Sequence, residues 1–272
     1  MTGVAAAPAR SSIDNLVVSC VPVKADARRL DVVMVERRLA ASRERAQALV
    51  AAGLVSVDGA PARSVGQAVG PAAEVVVAGR DHPWASRGGL KLEAALDGFG
   101  ISPSGRVALD AGASTGGFTD VLLARGAALV YAVDVGRGQL DGRLAADPRV
   151  TILDRTNLRT LEALPGPSPS LVTLDLSFIS LRLVLGTVAR LAAPRADVVA
   201  LFKPQFELGR QAVERGGVVR DRVAAESGAQ ELVRWAEAIL GARGSQPVPA
   251  AVRGARGNQE WFIHLLLAEE AV

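Results

Sequence analysis

Lysine is nearly missing from this chain: of its 31 Lys+Arg residues only three are lysines, Lys24, Lys91 and Lys203. Arginine serves wherever a permanent cation is enough and cannot give up its proton in a protein, whereas lysine can act as a base. A lysine kept at the end of the apolar run in "ALFKPQFELG", residues 200–209, therefore invites a chemical explanation. The plainer alternative is a strand-end cation reaching solvent. Cysteine occurs once, at Cys20, which excludes an internal disulfide and any cysteine metal cluster. His82 and His264 lie in unrelated contexts, and no metal is expected. Long apolar runs are also absent. "ADVVALF" and "AALVYAV" have strand length, well short of the roughly 18 residues of a membrane-spanning helix. The N-terminus has no basic start followed by a continuous apolar core, so it does not read as a signal peptide. A cytosolic protein without a membrane partner is the expectation.

What is present suits a globular chain: 49% hydrophobic and 22% charged residues over 272 positions, enough for one large domain or two unequal ones. The net charge of +3 is unevenly spread, with 11 basic and 8 acidic residues in 1–87 and 20 of each in 88–272. Arg28, Arg29, Arg37, Arg38, Arg43 and Arg45 stand against three acids within residues 28–45. Such a cluster is the footprint of a polyanion-binding module, although arginine-rich helix faces are often only solvated.

Residues 1–26 show no periodicity and read as a mobile tail. Residues 27–81 read as a small basic domain of two helices and a hairpin. Leu30, Val33, Met34 and Leu39 mark an apolar helix face, Ser42 caps a second helix ending at Gly53, and Asp58-Gly59 signals the hairpin. "HPWAS", residues 82–86, suits a linker, where Trp84 stacks on a ligand or packs between domains.

From residue 87 to 272 strands alternate with helices. The strands are "RVALDAG", "LVYAVDVG", "VTILDRT", "LVTLDLSF", "ADVVALFK", "PVPAAVR" and "EWFIHLLL", the last two joined without a helix. The helices expected between them lie in "GGFTDVLLARG", "GQLDGRLAAD", "LRLVLGTVARLA" and "VAAESGAQELVRWAEAILG", the last starting near Arg220 and Asp221. This order predicts an α/β fold with a mostly parallel, doubly wound seven-stranded sheet.

"VALDAGASTGGFTDVLL", residues 107–123, takes a strand through a glycine turn into a helix. The glycines lack the G-x-G-x-x-G spacing of dinucleotide binding, and the turn lacks the lysine of a phosphate-binding loop. Asp110, Asp134 and Asp154 close three successive strands. Three acids at strand ends argue against a triphosphate and for a less anionic nucleoside ligand; the bland alternative is acids capping turns.

D-x-G-x-x-x-G-G-F with an acidic second strand end resembles the S-adenosylmethionine site of class I methyltransferases. Together with "SRGGLKLEAAL", "LDLSFIS", "KPQFELG", "GGVVRD" and "GNQEWF", it resembles the TlyA family, ribosomal RNA 2′-O-methyltransferases related to the FtsJ group and once labelled hemolysins. The basic first domain is similar to the RNA-binding fold of ribosomal small-subunit protein four. The resemblance implies an S-adenosylmethionine-dependent enzyme, a monomer, acting on cytidine ribose in 16S and/or 23S rRNA. It implies a cofactor site of Asp110, Gly112, Ala113, Ser114, Thr115, Gly116, Gly117, Phe118, Thr119, Asp134, Val135, Asp154 and Asp175, with Phe118 also a core candidate. RNA contacts fall to the six arginines.

In that family a Lys-Asp-Lys-Glu tetrad surrounds the reacting hydroxyl, which the motifs carry to Lys91, Asp175, Lys203 and Glu260. Both lysines of the folded region thus fall in the tetrad. Lys203 is assigned as proton acceptor, with Lys91 lowering its basicity and the two acids orienting the amines. The alternatives are a non-catalytic RNA-binding assembly factor and, further off, a cytolysin.

Overall fold

The computed structural model describes residues 27–37, 39–40, 42–51, 53–77, 82–254 and 257–269. The tail expected at 1–26, with Lys24 and Cys20, and the RNA candidate Arg38 lie outside the described residues. The chain divides into two units, residues 1–81 and 82–272.

In the first unit β1 (Arg28–Arg29) leads into α1 (Leu30–Glu36) and α2 (Arg43–Ala51), followed by β2 (Val55–Val57), β3 (Ala60–Pro61), β4 (Ala68–Val69) and β5 (Val75–Val77). Leu30, Val33, Met34, Ala46 and Leu49 pack on Val55, Val57, Val69 and Val75 to form its core. The hairpin forms at Asp58-Gly59, where φ is +51° and +77°. Left-handed values at both central residues match the strand twist, and Asn, Asp and Gly tolerate them best. Ser42 Oγ accepts from Arg45 N at 3.2 Å, as a cap should.

The second unit is built on one sheet. Its elements are α3 (Gly88–Phe99), β6 (Val107–Ala111), α4 (Gly117–Ala124), β7 (Leu129–Val133), α5 (Gly142–Ala145), β8 (Val150–Leu153), β9 (Leu171–Leu174), α6 (Leu185–Leu191), β10 (Asp197–Phe202), α7 (Pro204–Glu207), α8 (Arg222–Leu240), β11 (Arg243–Gly244), β12 (Val248–Pro249) and β13 (Trp261–Leu266). The strand order is β11-β13-β10-β9-β6-β7-β8, with β12 also paired to β13. Strands β6 to β10 run parallel, and β13 is antiparallel to β10.

Burial alternates along the strands as a two-faced sheet requires. In β10, Val198, Ala200 and Phe202 face the layer of α6 and α8, while Val199 and Leu201 face that of α3 and α4. The order of the chain reverses between β6 and β9, so the crevice beyond their C-terminal ends is where ligands of such sheets bind.

Two features differ from the sequence reading. Helix α3 is not among the expected helices; it opens on Gly88-Gly89, a pair with poor helix propensity. Gly89 is needed there because a Cβ would lie 2.4 Å from the Trp84 ring. The expected strand "PVPAAVR" is only β12, preceded by the two-residue β11, because Pro247 and Pro249 cannot donate to a ladder. The indole of Trp84 belongs to the apolar layer beneath α3 and α4 rather than to a bare linker.

Candidate active site

The glycine turn after β6 bends around the end of β9. Gly112 has φ +87°, and a Cβ there would lie 2.5 Å from the Asp175 carbonyl oxygen. Only glycine lets the two strand ends approach this closely. Gly116, φ +93°, starts α4 where Leu144 and Leu140 leave no room for a side chain, and Gly117 packs on Ser86. Beneath the turn, Asp110 is fully buried and accepts from Thr119 Oγ1 at 2.6 Å and Thr173 Oγ1 at 3.3 Å. Burial pushes its carboxyl up to about 7, and the nearby Asp175 charge adds to this. Phe118 is likewise core, 6.1 Å from the Phe262 ring.

Above this floor lies a cavity of about 480 Å³, within the range of small-molecule sites. Of the expected cofactor residues, Gly112, Ser114, Asp134, Val135 and Asp175 form its wall. Gln139, Thr156 and Asn157, which sequence reasoning did not single out, complete it. Asp134 accepts from Ser114 N at 2.8 Å and Gly136 N at 2.7 Å, which fixes the carboxylate at the rim. Val135 beside it is 72% exposed, an apolar face left open next to an acid. Asp154 accepts from Gly138 N at 2.7 Å and is not part of the wall, which Thr156 and Asn157 line. Ala113 is buried behind the turn, and the Thr115 carbonyl accepts from Asp141 N.

A second cavity, of about 330 Å³, is lined by Lys91, Asp175, Lys203 and Glu260. The tetrad carried over from the resemblance thus converges from α3, the end of β9, the end of β10 and the start of β13. Lys203 Nζ lies 2.6 Å from Asp175 Oδ1 and donates to Ser177 Oγ at 3.0 Å. Lys91 Nζ lies 2.6 Å from Glu260 Oε2. The amines are therefore held in two separate ion pairs, and each charge is compensated within its pair. Lys203 and Glu260 are 9% and 3% exposed, so the pairs are largely shielded from solvent.

The Gly217–Val219 segment, whose Gly217 lines the second cavity, is tied down by Asn258. It accepts from Val219 N at 2.8 Å and donates to the Gly217 carbonyl at 2.9 Å. Gly217 of "GGVVRD" lines this cavity beside the tetrad, and Asp221 Oδ1 caps α8 through Ala224 N. The two cavities share Asp175, Ser177 and Phe178. Phe178 has φ +65° and is 86% exposed, its ring 5.0 Å from that of Phe206. A large aromatic held open in a left-handed conformation is an outlier of the kind that clusters at functional sites; the motif "LDLSFIS" contains it, but only Asp175 is singled out there by sequence.

Residues 84–266 match the FtsJ-like methyltransferase family and residues 28–75 the S4 domain. Over 244 residues, spanning 87% of this chain and 89% of the relative, the chain is 47% identical to the 16S/23S rRNA (cytidine-2′-O)-methyltransferase TlyA of Mycobacterium tuberculosis. The chain belongs to the TlyA family. The 23S rRNA (cytidine-2′-O)-methyltransferase TlyA of Campylobacter jejuni is 34% identical over 184 residues, covering 67% of this chain and 71% of that one. A solved structure from Streptococcus thermophilus that carries a hemolysin name is 37% identical, with a TM-score of 0.73 over 90% of both chains. Despite such names in the TlyA family, no helix among the described residues is long and apolar enough to cross a membrane.

The six arginines of the S4 domain are not equivalent. Arg29 and Arg43 both pair with the buried Asp31, at 3.0 and 2.8 Å, and those hydrogen bonds hold its carboxyl well below the usual range. Arg37 donates to the carbonyls of Ala73 and Pro71 at 2.5 and 2.8 Å, and Arg28 pairs with Glu36 at 2.6 Å on the surface. His264, away from the site, bridges Asp197 Oδ1 at 2.7 Å and Ser245 Oγ at 2.9 Å.

Proposed function

We propose that this TlyA-family chain, acting as a monomer in the cytoplasm and without a metal, methylates the 2′-hydroxyl of cytidine in ribosomal RNA from S-adenosylmethionine. The observation that carries this reading is the adjacency of the two cavities, which share Asp175, Ser177 and Phe178 in their walls. A nucleoside in the larger cavity and a ribose in the smaller one would meet there. S-adenosylmethionine, when bound, supplies a methyl group already made electrophilic by its sulfonium.

The residues of the larger cavity fit that cofactor. Asp134 presents a carboxylate for ribose hydroxyls, Val135 an apolar face for the base, and the Gly112–Ser114 backbone lets the ligand approach. In the smaller cavity Lys203, once its ammonium has given up a proton, would take that of the 2′-hydroxyl while the ribose oxygen gains the methyl carbon and the methyl–sulfur bond breaks to leave a neutral thioether. Asp175, 2.6 Å away, balances the charge that appears on Nζ. Lys91, fixed by Glu260, holds the hydroxyl oxygen from the other side. Alignment of this kind supplies several kcal/mol, and a positioned base about a further 10²–10⁴-fold.

A ribose inside folded RNA reaches such a site only when its nucleotide is extruded, and the open face of Phe178 suits stacking on the displaced base. The S4 domain holds the surrounding RNA through phosphates, with its arginine cluster as the candidate surface, within which Arg29 and Arg43 also neutralise Asp31. The direct test is incubation of the purified chain with labelled S-adenosylmethionine and isolated 30S or 50S subunits. Label retained at a cytidine ribose is expected. Cofactor binding without transfer to either subunit would leave only an assembly role.

A further inference from the structure

The Asp175–Lys203 pair joins the first residues of two turns, held to the sheet by Asp175 N on the Ala111 carbonyl and by the pairing of Phe202 with Trp261, but no longer to each other by strand pairing. Pairing of β9 with β10 ends at Leu174 and Ala200; beyond it Asp175–Ser180 and Lys203–Glu207 leave their strands separately. Glu207 spans the gap between them. Its Oε2 accepts from Ser180 Oγ at 2.7 Å, and its Oε1 accepts from Leu181 N at 2.8 Å, the first turn of the short helix 181–183. Its side chain is partly shielded, and burial raises its carboxyl above the ordinary glutamate value. Phe206, its neighbour in α7, meets Phe178 across the same gap. Thus one end of each turn is tied at the tetrad and the other at Glu207, with an aromatic contact between.

We propose that Glu207 is a positioning residue that braces the Asp175–Ser180 turn against the Lys203–Glu207 turn, keeping Asp175, Lys203 and Phe178 in register for methyl transfer. The inference rests on the methyltransferase reading. Glu207 does not line either cavity, so it acts through the turns and not on substrate. Freeing them lets the reacting groups drift by a fraction of an ångström or more, and a misplacement of about 1 Å costs on the order of 10²-fold in rate.

Glu207→Leu removes both acceptors at similar volume, whereas Glu207→Gln keeps a carbonyl for Leu181 N and an amide that can donate to Ser180 Oγ. Three quantities are measured on the full chain: single-turnover methyl transfer to ribosomal subunits, S-adenosylmethionine affinity by calorimetry, and amide hydrogen exchange at Leu181. Glu207→Leu is expected to slow transfer about 10–10²-fold, leave cofactor affinity within about twofold, and speed exchange at Leu181; Glu207→Gln is expected to stay within about threefold of wild type.

Wild-type transfer in Glu207→Leu, an equal loss of cofactor affinity, or a Glu207→Gln variant as slow as Glu207→Leu would overturn the brace. Should Glu207→Leu not fold, Ser180→Ala cuts one of the two bonds, and a wild-type rate there overturns it equally. A wild-type chain inactive on both subunits would sink the methyltransferase reading instead. The brace is then decided by exchange at Leu181 alone, and unchanged protection in the variant overturns it.

Discussion

Gly112→Ala is a one-methyl change expected to damage stability and chemistry together. The added Cβ would sit 2.5 Å from the Asp175 carbonyl oxygen, and Gly112 has φ +87°. The left-handed backbone costs an alanine about 1–2 kcal/mol, and relieving the overlap costs about 1–3 kcal/mol more. A loss of about 2–5 kcal/mol in denaturant unfolding follows. The overlap can be relieved only by moving the Gly112 turn or the Asp175 turn by roughly half an ångström or more, because both partners are backbone. Asp175 belongs to both cavities, so methyl transfer is expected to fall by about 10–10²-fold in the protein that remains folded. Gly105 supplies the control: its φ is +72°, but no heavy atom lies within 4 Å of the place a Cβ would take. Gly105→Ala should therefore lose about 1–2 kcal/mol and keep its activity. If Gly112→Ala behaved like Gly105→Ala in both assays, the close approach of the two turns would be wrong.

Three further outcomes are expected. Lys91→Met leaves Glu260 buried without its partner and should cost about 3–5 kcal/mol in chemical denaturation, whereas Lys91→Met combined with Glu260→Leu should recover most of that stability and none of the activity. Asp110 titrates near 7 in the fold but near 4 when unfolded, so between these values the folded state holds the extra proton and stability falls as pH rises, by at most about 1.4 kcal/mol per unit. Melting temperatures from pH 4 to 8 should show that decline in wild type and a flatter profile in Asp110→Asn. Replacing Arg28, Arg37 and Arg45 by alanine should weaken rRNA binding and lower the slope of log affinity against log salt by up to about 1 for each phosphate no longer neutralised. Calorimetric affinity for S-adenosylmethionine should be untouched.

The parallel core of the fold is legible because its strands are continuous apolar runs ending in acids, with helices between. Helix α3 is hidden by its opening glycines, of which Gly89 is required by the Trp84 ring, a packing constraint that no local pattern records. The expected sixth strand "PVPAAVR" pairs only at Val248 and Pro249, because its two prolines limit pairing.

At the site, spacing alone locates the glycine turn and Asp134, but it cannot separate acids at a cavity wall from Asp110, buried beneath the turn, or Asp154, which accepts from Gly138 N. Composition counts six arginines without revealing that Arg29 and Arg43 neutralise a buried Asp31. The tetrad comes from four separate segments, from 91 to 260, and in the sequence only resemblance joins them; in the fold, geometry does. Lysine scarcity singles out Lys91 and Lys203 independently, since a base cannot be replaced by arginine.

The most direct measurement is therefore on Lys203, with 2′-O-methyl groups mapped by mass spectrometry in ribosomal subunits treated with wild type and with Lys203→Arg. Arginine keeps the charge that faces Asp175 but cannot accept the proton. The expected result is a methylated cytidine with wild type and at least about a 10²-fold slower reaction with Lys203→Arg, with S-adenosylmethionine and rRNA affinities retained. Methylation by Lys203→Arg at the wild-type rate would contradict the assignment of Lys203 as proton acceptor.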